Sequence, residues 1–302
     1  MTAAIHRQQR QSNSDNTAKP ANPDRQAMEI ARQHSGKFSW TTMIFSAVLI
    51  LSHVALLYLS VVGVVSAGLA VFGLSVLTYG LYTTVHESVH NNISGNQKDL
   101  TWVDDLFGRC AGILMIVPYT AHKAAHFAHH SKTNNPERDP DMVFGNGKPH
   151  QVLWGALTIT MSEYHWYFKN KWAGASRRDK NRVVFELGSA VALRLGIALA
   201  GFPLEALLFG VLPNLLGMMI VALIFAWAVH RPHNNQKRYL NTSTIVFNRW
   251  ADTPITYLWL FQNYHSIHHL FPNVPFHQYR KVFKKIEPVM QDKGAPIYRI
   301  GH

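Results

Sequence analysis

The chain has 302 residues, 47% apolar and 15% charged, with a formal net charge of +12. Mean hydropathy is close to zero, which excludes a bundle of membrane helices alone and fits a protein that is half membrane and half polar cap. The one cysteine, Cys110, excludes an internal disulfide and any four-cysteine zinc or iron–sulfur site, and reads as a core thiol.

Residues 1–37 are polar and carry no apolar h-region, so they are read as a disordered or loosely docked tail and not as a signal peptide. From Phe38 to His86 there are 49 residues without Asp, Glu, Lys or Arg. That is enough for two spans of about 20 residues, expected at Phe38–Leu59 and Val64–Val85 with the turn at Ser60, Gly63, Ser66 and Gly68. A second apolar region runs from Val183 to Val229, with its turn at Pro203 and Glu205. Its second arm, Ala206–Val229, is free of charge, and Pro213 is a candidate kink. Its first arm carries Glu186 and Arg194, and a charge in mid-span is costly. Ala111–Ala121 and Ile255–Phe261 are apolar but too short to cross, and are expected in the interface. Residues 286–302 are read as a C-terminal tail.

Lys and Arg set the expected topology. Six lie in residues 1–37, twelve in 86–182 and ten in 230–302; Arg194 completes the 29. The two span-to-span turns hold none. Four spans then place all three basic segments, both termini included, on one side, the cytoplasmic one. The positive charge faces anionic headgroups, and nucleic acid is not needed to explain it.

Eighteen histidines outnumber the seventeen acidic residues. Eleven fall in four places: His86 and His90 where the second span ends; His122, His126, His129 and His130; His230 and His233 where the last span ends; and His265, His268 and His269. Residues at i, i+3 and i+4 share a helix face, so each group can converge, and all four can meet at the same membrane face. Eight imidazoles in the three principal boxes, with His230, exceed what one metal takes. Two metals are the economical reading. Imidazole suits zinc, copper, iron and nickel; iron is preferred, because a centre that uses dioxygen explains a site set against lipid. A membrane zinc hydrolase is the rival. A heavy-metal transporter would place its ligands within the spans, whereas these clusters follow them. Glu87, Asp139 and Asp141 can orient ring N–H groups from behind. The roles of His122, His165 and His233 stay open between ligand and bystander.

The set HxxxH, HxxHH and HxxHH, divided by a membrane hairpin, resembles the membrane fatty acid desaturase superfamily over roughly residues 38–285. HFAHHSKTNNPERDPD (126–141), HRP (230–232) and QNYHSIHHLFPNVPFHQY (262–279) are similar to its β-carotene hydroxylase branch. The first box departs from that branch in carrying Glu87 where Asp is usual. The apolar runs, the charge distribution and the placement of the boxes together give an all-α membrane protein of four transmembrane helices in two hairpins, with a helical cytoplasmic cap holding the boxes, and this agrees with the resemblance. The resemblance implies two non-haem irons held by His86, His90, His126, His129, His130, His265, His268 and His269, with His230 a ninth ligand. It further implies dioxygen as oxidant, a lipid substrate drawn from the bilayer, and electrons from an external carrier such as ferredoxin. In the narrower branch the substrate is a carotenoid ring; in the wider superfamily it is an acyl chain that is desaturated.

Overall fold

The computed structural model describes residues 23–143 and 147–301; residues 1–22 of the expected tail lie outside the described residues. The helices in chain order are α1 (Pro23–Gln33), α2 (Trp40–Val61), α3 (Ala67–Val89), α4 (Thr101–Met115), α5 (Tyr119–Lys132), α6 (Pro149–Asn170), α7 (Arg177–Leu199), α8 (Pro203–Gly210) and α9 (Leu212–Val221). A π-helical segment, Ala222–Trp227, and a 3-10 turn, Ala228–His230, continue α9. Then come β1 (Thr244–Phe247), α10 (Arg249–Leu258), α11 (His265–Leu270), α12 (Tyr279–Asp292) and β2 (Ile297–Ile300).

Among the described residues, three helices are long and apolar enough to cross a membrane: Trp40–Val61, Ala67–Val89 and the run Pro203–His230. α2 starts where the Ser39 hydroxyl accepts the Thr42 N–H, a side-chain N-cap. It ends at Gly63, whose φ of +77° suits a residue without Cβ. α2 turns Trp40, Leu51 and Tyr58 outward, whereas α3 is continuously buried from Thr78 to Val89. α3 therefore leaves the apolar shell and enters the cap interior, carrying the first histidine box with it. α9 packs tightly on α3 at Gly217. A Cβ there would lie 2.6 Å from Thr78 Cβ and 2.7 Å from the Ser75 carbonyl oxygen.

α7 does not match those three in apolarity: its first six residues carry five charges, and Glu186 and Arg194 lie further along it. These last two are turned inward. Glu186 accepts from the Thr120 N–H at 2.9 Å and pairs with Arg109. Arg194 donates to the carbonyls of Gly210 (3.0 Å), Ile113 (2.8 Å), Ala190 (3.1 Å) and Leu114. Four backbone acceptors replace the water that a buried guanidinium would otherwise need. The outer face of α7 stays apolar through Val184, Phe185, Val191, Leu195 and Leu199.

The main core joins α3, α4, α6 and α9 through Leu81, Val85, Met115, Ala156, Val221 and Phe225. A second core holds the cap together through α1, α11 and α12. Here the folded part extends beyond the expected boundaries of 38 and 285. Ala27 and Ala31 of α1 are buried against that core, as are Ile286 and Met290 of α12. The C-terminal segment is no loose tail, since β2 pairs in parallel with β1 from Thr244↔Ile297 to Phe247↔Ile300. This small sheet is also the departure from an all-α fold. Ala111–Ala121 is not interfacial: Ala111, Leu114, Met115 and Val117 belong to the main core. The other short apolar piece ends α10, which presents Trp250, Tyr257 and Leu258 outward.

Candidate metal centre

The four histidine groups meet at the cap end of α3. His86 and His90 come from α3 and its cap; His126, His129 and His130 from α5; His230 from the turn after the π segment; His265, His268 and His269 from α11. They form two sets. His86, His90, His126, His130 and His268 each offer a nitrogen within 4.8 Å of the others, and so do His129, His230 and His269. His265 joins the second set, with its ring 5.0 Å from His230 and 4.8 Å from His269. The sets adjoin where the His130 ring stacks on His269 at 4.3 Å.

The partition is finer than box spacing predicts. His126 and His130, at i and i+4, face the first set, while His129 between them faces the second. On α11, His268 faces the first set, and His265 and His269, again at i and i+4, face the second. Adjacent helix residues point about 100° apart, so each His-His pair straddles the two sets.

The nitrogens that face one another are Nε2 atoms. Separations are 2.8 Å for His90–His126, 3.0 Å for His126–His130 and 2.8 Å for His130–His268. In the second set they are 3.0 Å for His129–His230 and 3.1 Å for His230–His269. Two nitrogens bound at right angles about 2.1 Å from one ion lie about 3.0 Å apart. Both ring nitrogens of His86 are buried without a hydrogen-bond partner. A bound cation would satisfy such groups, and the residues fit one in each set.

The opposite edges of five of the nine rings are anchored. His129 Nδ1 donates to Asp139 Oδ1 at 2.8 Å, with Asp141 at 3.4 Å. His230 donates to the Ala226 carbonyl at 2.6 Å and His265 to Gln262 Oε1 at 2.8 Å. His268 Nδ1 lies 3.0 Å from the Tyr279 hydroxyl, which donates onward to Glu87 at 3.2 Å. Thr133 Oγ1 gives its proton to the His129 carbonyl at 2.8 Å and faces His269 Nδ1 at 3.4 Å. Each anchor fixes the tautomer and leaves Nε2 inward. Glu87 reaches His86 only at 3.6 Å and chiefly accepts from Asn92, the Phe276 N–H and Tyr279. Tyr279, Gln262 and Thr133 carry no signal in histidine spacing. Gln262 and Tyr279 bracket the last conspicuous motif, which is the one hint available.

Electrostatics separate the sets. Burial pushes His126, His130 and His268 well below the ordinary imidazole range, and His90 to about 3. Burial acts on His129 in the same sense, but the Asp139 and Asp141 carboxylates outweigh it and raise the ring to about 9.

Of the open histidines, His233 donates from or accepts at neither set: its Nε2 bonds the Trp227 carbonyl at 3.0 Å. His165 lies exposed on α6. His122 is buried beside the first set but outside both, with Nδ1 3.0 and 3.1 Å from the two oxygens of Glu163.

With this geometry in view, the comparisons with known proteins are specific. The fatty acid desaturase family model matches residues 60–301, and the chain belongs to that family. It is therefore an oxidoreductase. It is 23% identical over 258 residues to a dihydrorhizobitoxine desaturase of Bradyrhizobium elkanii, covering 75% of this chain and 68% of the relative. To a Δ12-acyl-lipid desaturase of Punica granatum it is 24% identical over 270 residues, 73% of this chain and 66% of the relative. A shorter stretch of 86 residues, 28% of this chain and 18% of the relative, is 31% identical to a zeaxanthin 4-ketolase of Chlamydomonas reinhardtii. The chain spans about two thirds of the length of the desaturases that it matches over most of its sequence.

Proposed function

We propose that the two histidine sets hold two irons, and that the protein oxidises C–H bonds of a membrane lipid, with a carotenoid ring as substrate and an alcohol as product. The observation that carries this is the pair of adjoining nitrogen sets, with imidazole nitrogens converging at metal-ligand spacing in each. Five histidines on one ion exceed the three or four protein ligands that zinc sites use, which favours iron over the zinc hydrolase. The first iron takes His86, His90, His126, His130 and His268; the second takes His129, His230, His265 and His269.

Bound iron would supply the redox chemistry with dioxygen and two external electrons. Hydroxylation then balances as substrate, O2, two electrons and two protons giving one alcohol and one water. Desaturation balances with two waters and a C=C bond. The chain's own part is to orient the Nε2 atoms of His129, His230, His265, His268 and His269 through their Nδ1 partners, to exclude water with Phe225, Val85 and Val221, and to admit lipid from the apolar shell. α7 is read as the fourth span, paired with α8–α9 in a second hairpin. All boxes, and the described ends of the chain, then lie on the cytoplasmic side. There the basic surface would draw an acidic electron carrier of the ferredoxin type; turnover that ignores ionic strength would count against such a carrier.

Acyl desaturation is the second reading, favoured because the desaturase relatives match about three quarters of this chain and the ketolases under a third. Expression in a host containing carotenoid and ordinary phospholipid, with products read by mass spectrometry, separates them. One oxygen gained on a carotenoid supports the first reading; two hydrogens lost from an acyl chain overturn it. Metal analysis of active protein is expected to give two irons per chain, and zinc alone would end the di-iron proposal.

A further inference from the structure

Beside the first histidine set, between α5, α6 and α9, lies a cavity of about 20 Å³. Its walls include Tyr82, His122, His126, Asp141, Met218 and Val221. It therefore touches a residue of the first set and the carboxylate that stands behind the second. His122 is 3% exposed. Its Nδ1 donates to the Glu163 carboxylate, whose two oxygens are 3.0 and 3.1 Å away. A carboxylate only accepts, so this bond fixes the ring and its tautomer. The other nitrogen, Nε2, is buried and has no hydrogen-bond partner. The Tyr82 ring meets the His122 ring edge-on at 5.4 Å and prevents it from swinging away.

A buried, unpartnered ring nitrogen on a side chain that lines the cavity and is held in place by its own carboxylate calls for a partner. The volume admits one oxygen-sized group and nothing larger. Glu163 and Asp141 form its acidic side, and Met218 and Val221 give it an apolar side against which the carbon that bears the group can rest. A hydroxyl both donates and accepts, so it satisfies Nε2 whether or not that nitrogen carries a proton.

We propose that His122, positioned by Glu163, is a specificity residue that binds a hydroxyl already present on the lipid beside the carbon to be oxidised. This deepens the proposed function by narrowing the substrate class to hydroxylated lipids. It also sets the enzyme's place: a reaction that introduces that hydroxyl must come first.

The test uses iron-loaded enzyme in lipid nanodiscs and two substrate sets. One is a pair of β-ring carotenoids that differ by one ring hydroxyl. The other is phosphatidylcholine carrying oleoyl or mid-chain hydroxyoleoyl groups. The native enzyme is expected to favour a hydroxylated member by about tenfold or more in kcat/KM, since a site built to bond a hydroxyl rejects the analogue lacking it. His122→Leu should bring that ratio close to one, and His122→Gln, which can still bond a hydroxyl, should restore part of it. Because the ratio is taken within each variant, a general loss of activity does not blur it. Iron content of the His122→Gln protein should equal that of the native protein. Equal handling of both sets by the native enzyme would mean that the cavity holds water only, and would overturn the proposal. Loss of iron in His122→Gln would make His122 a metal ligand and overturn it equally. If neither carotenoid reacts but a hydroxyoleoyl lipid is preferred, the carotenoid reading fails and the hydroxyl subsite stands.

Discussion

The two histidine sets sit side by side yet are built on different principles. The first draws five imidazoles from three helices and keeps carboxylates at a distance. Glu87 touches it only through Tyr279 and a 3.6 Å approach to His86. The second has fewer imidazoles and rests directly on fixed acceptors: Asp139 for His129, the Ala226 carbonyl for His230 and Gln262 for His265. The first set is thus ready to bind a cation by ring convergence, with its nitrogens already neutral. The second holds a carboxylate-backed ring that is more basic as a ligand but retains a proton until a metal displaces it.

If the first set depends on convergence alone, removing a central ring should do the most damage. His268 meets His86 at 4.1 Å between ring centres and His130 at 2.8 Å between nitrogens. His268→Ala is expected to lose iron and all measurable turnover while the helices still form, read by metal analysis and circular dichroism. Full iron content in that variant would break the assignment of the set.

Asp139→Asn addresses the second set. Loss of a carboxylate behind a metal-bound histidine costs about 10- to 100-fold in metal affinity. The pH response should separate the sets. Burial lowers the His129 ring, but the two carboxylates win and hold it at about 9, so below that pH a proton competes with the metal. Affinity of the second set for ferrous ion should then rise by up to ~10-fold per pH unit from 7 towards 9. In the first set His90 is held at about 3, and affinity should stay flat over that window. The Asn variant should lose most of the slope. Titrating metal-free protein with ferrous ion across this range checks both points.

Tyr279→Phe should have a smaller effect, confined to the first set. It removes the acceptor of His268 Nδ1 and one donor to Glu87. A bond of this kind contributes about 1 kcal/mol, so a fall of several-fold in first-set affinity is expected. An equal fall in the second set would mean that Tyr279 acts through the fold as a whole.

The same contrast explains how much was legible in the sequence. The i, i+3, i+4 spacing groups eight of the nine histidines that the fold brings together, the end of the last apolar run marks His230, and uncharged runs mark three helices of spanning length. Spacing did not assign rings to sets, because His129 and His130 are neighbours in sequence yet face different ways around α5. The anchors Gln262 and Tyr279 are ordinary polar residues until α11 and α12 fold over α3. Arg194 reads as an obstacle to a span until the carbonyls that receive it are in place. The docking of α1 and the pairing of β2 were also hidden, since each depends on a partner more than 40 residues away.

His233 offers the smallest expected effect and the sharpest check on the second set, where donors are fewer. It lies three residues after His230, and spacing alone would make it a candidate further ligand. The structure turns it aside. Its φ is +59°, a conformation in which Asn is among the better tolerated residues. Its Nε2 bonds the Trp227 carbonyl at the end of the π segment, and its ring centre stands 6.4 Å from that of His230. His233→Asn should keep the backbone conformation and lose one hydrogen bond at the segment that positions His230. Iron content should be unchanged and turnover within about threefold, on the scale of one neutral hydrogen bond. Loss of one iron would instead show that the second set recruits His233 when metal is bound, and that the two sets are closer to equal than their geometry suggests.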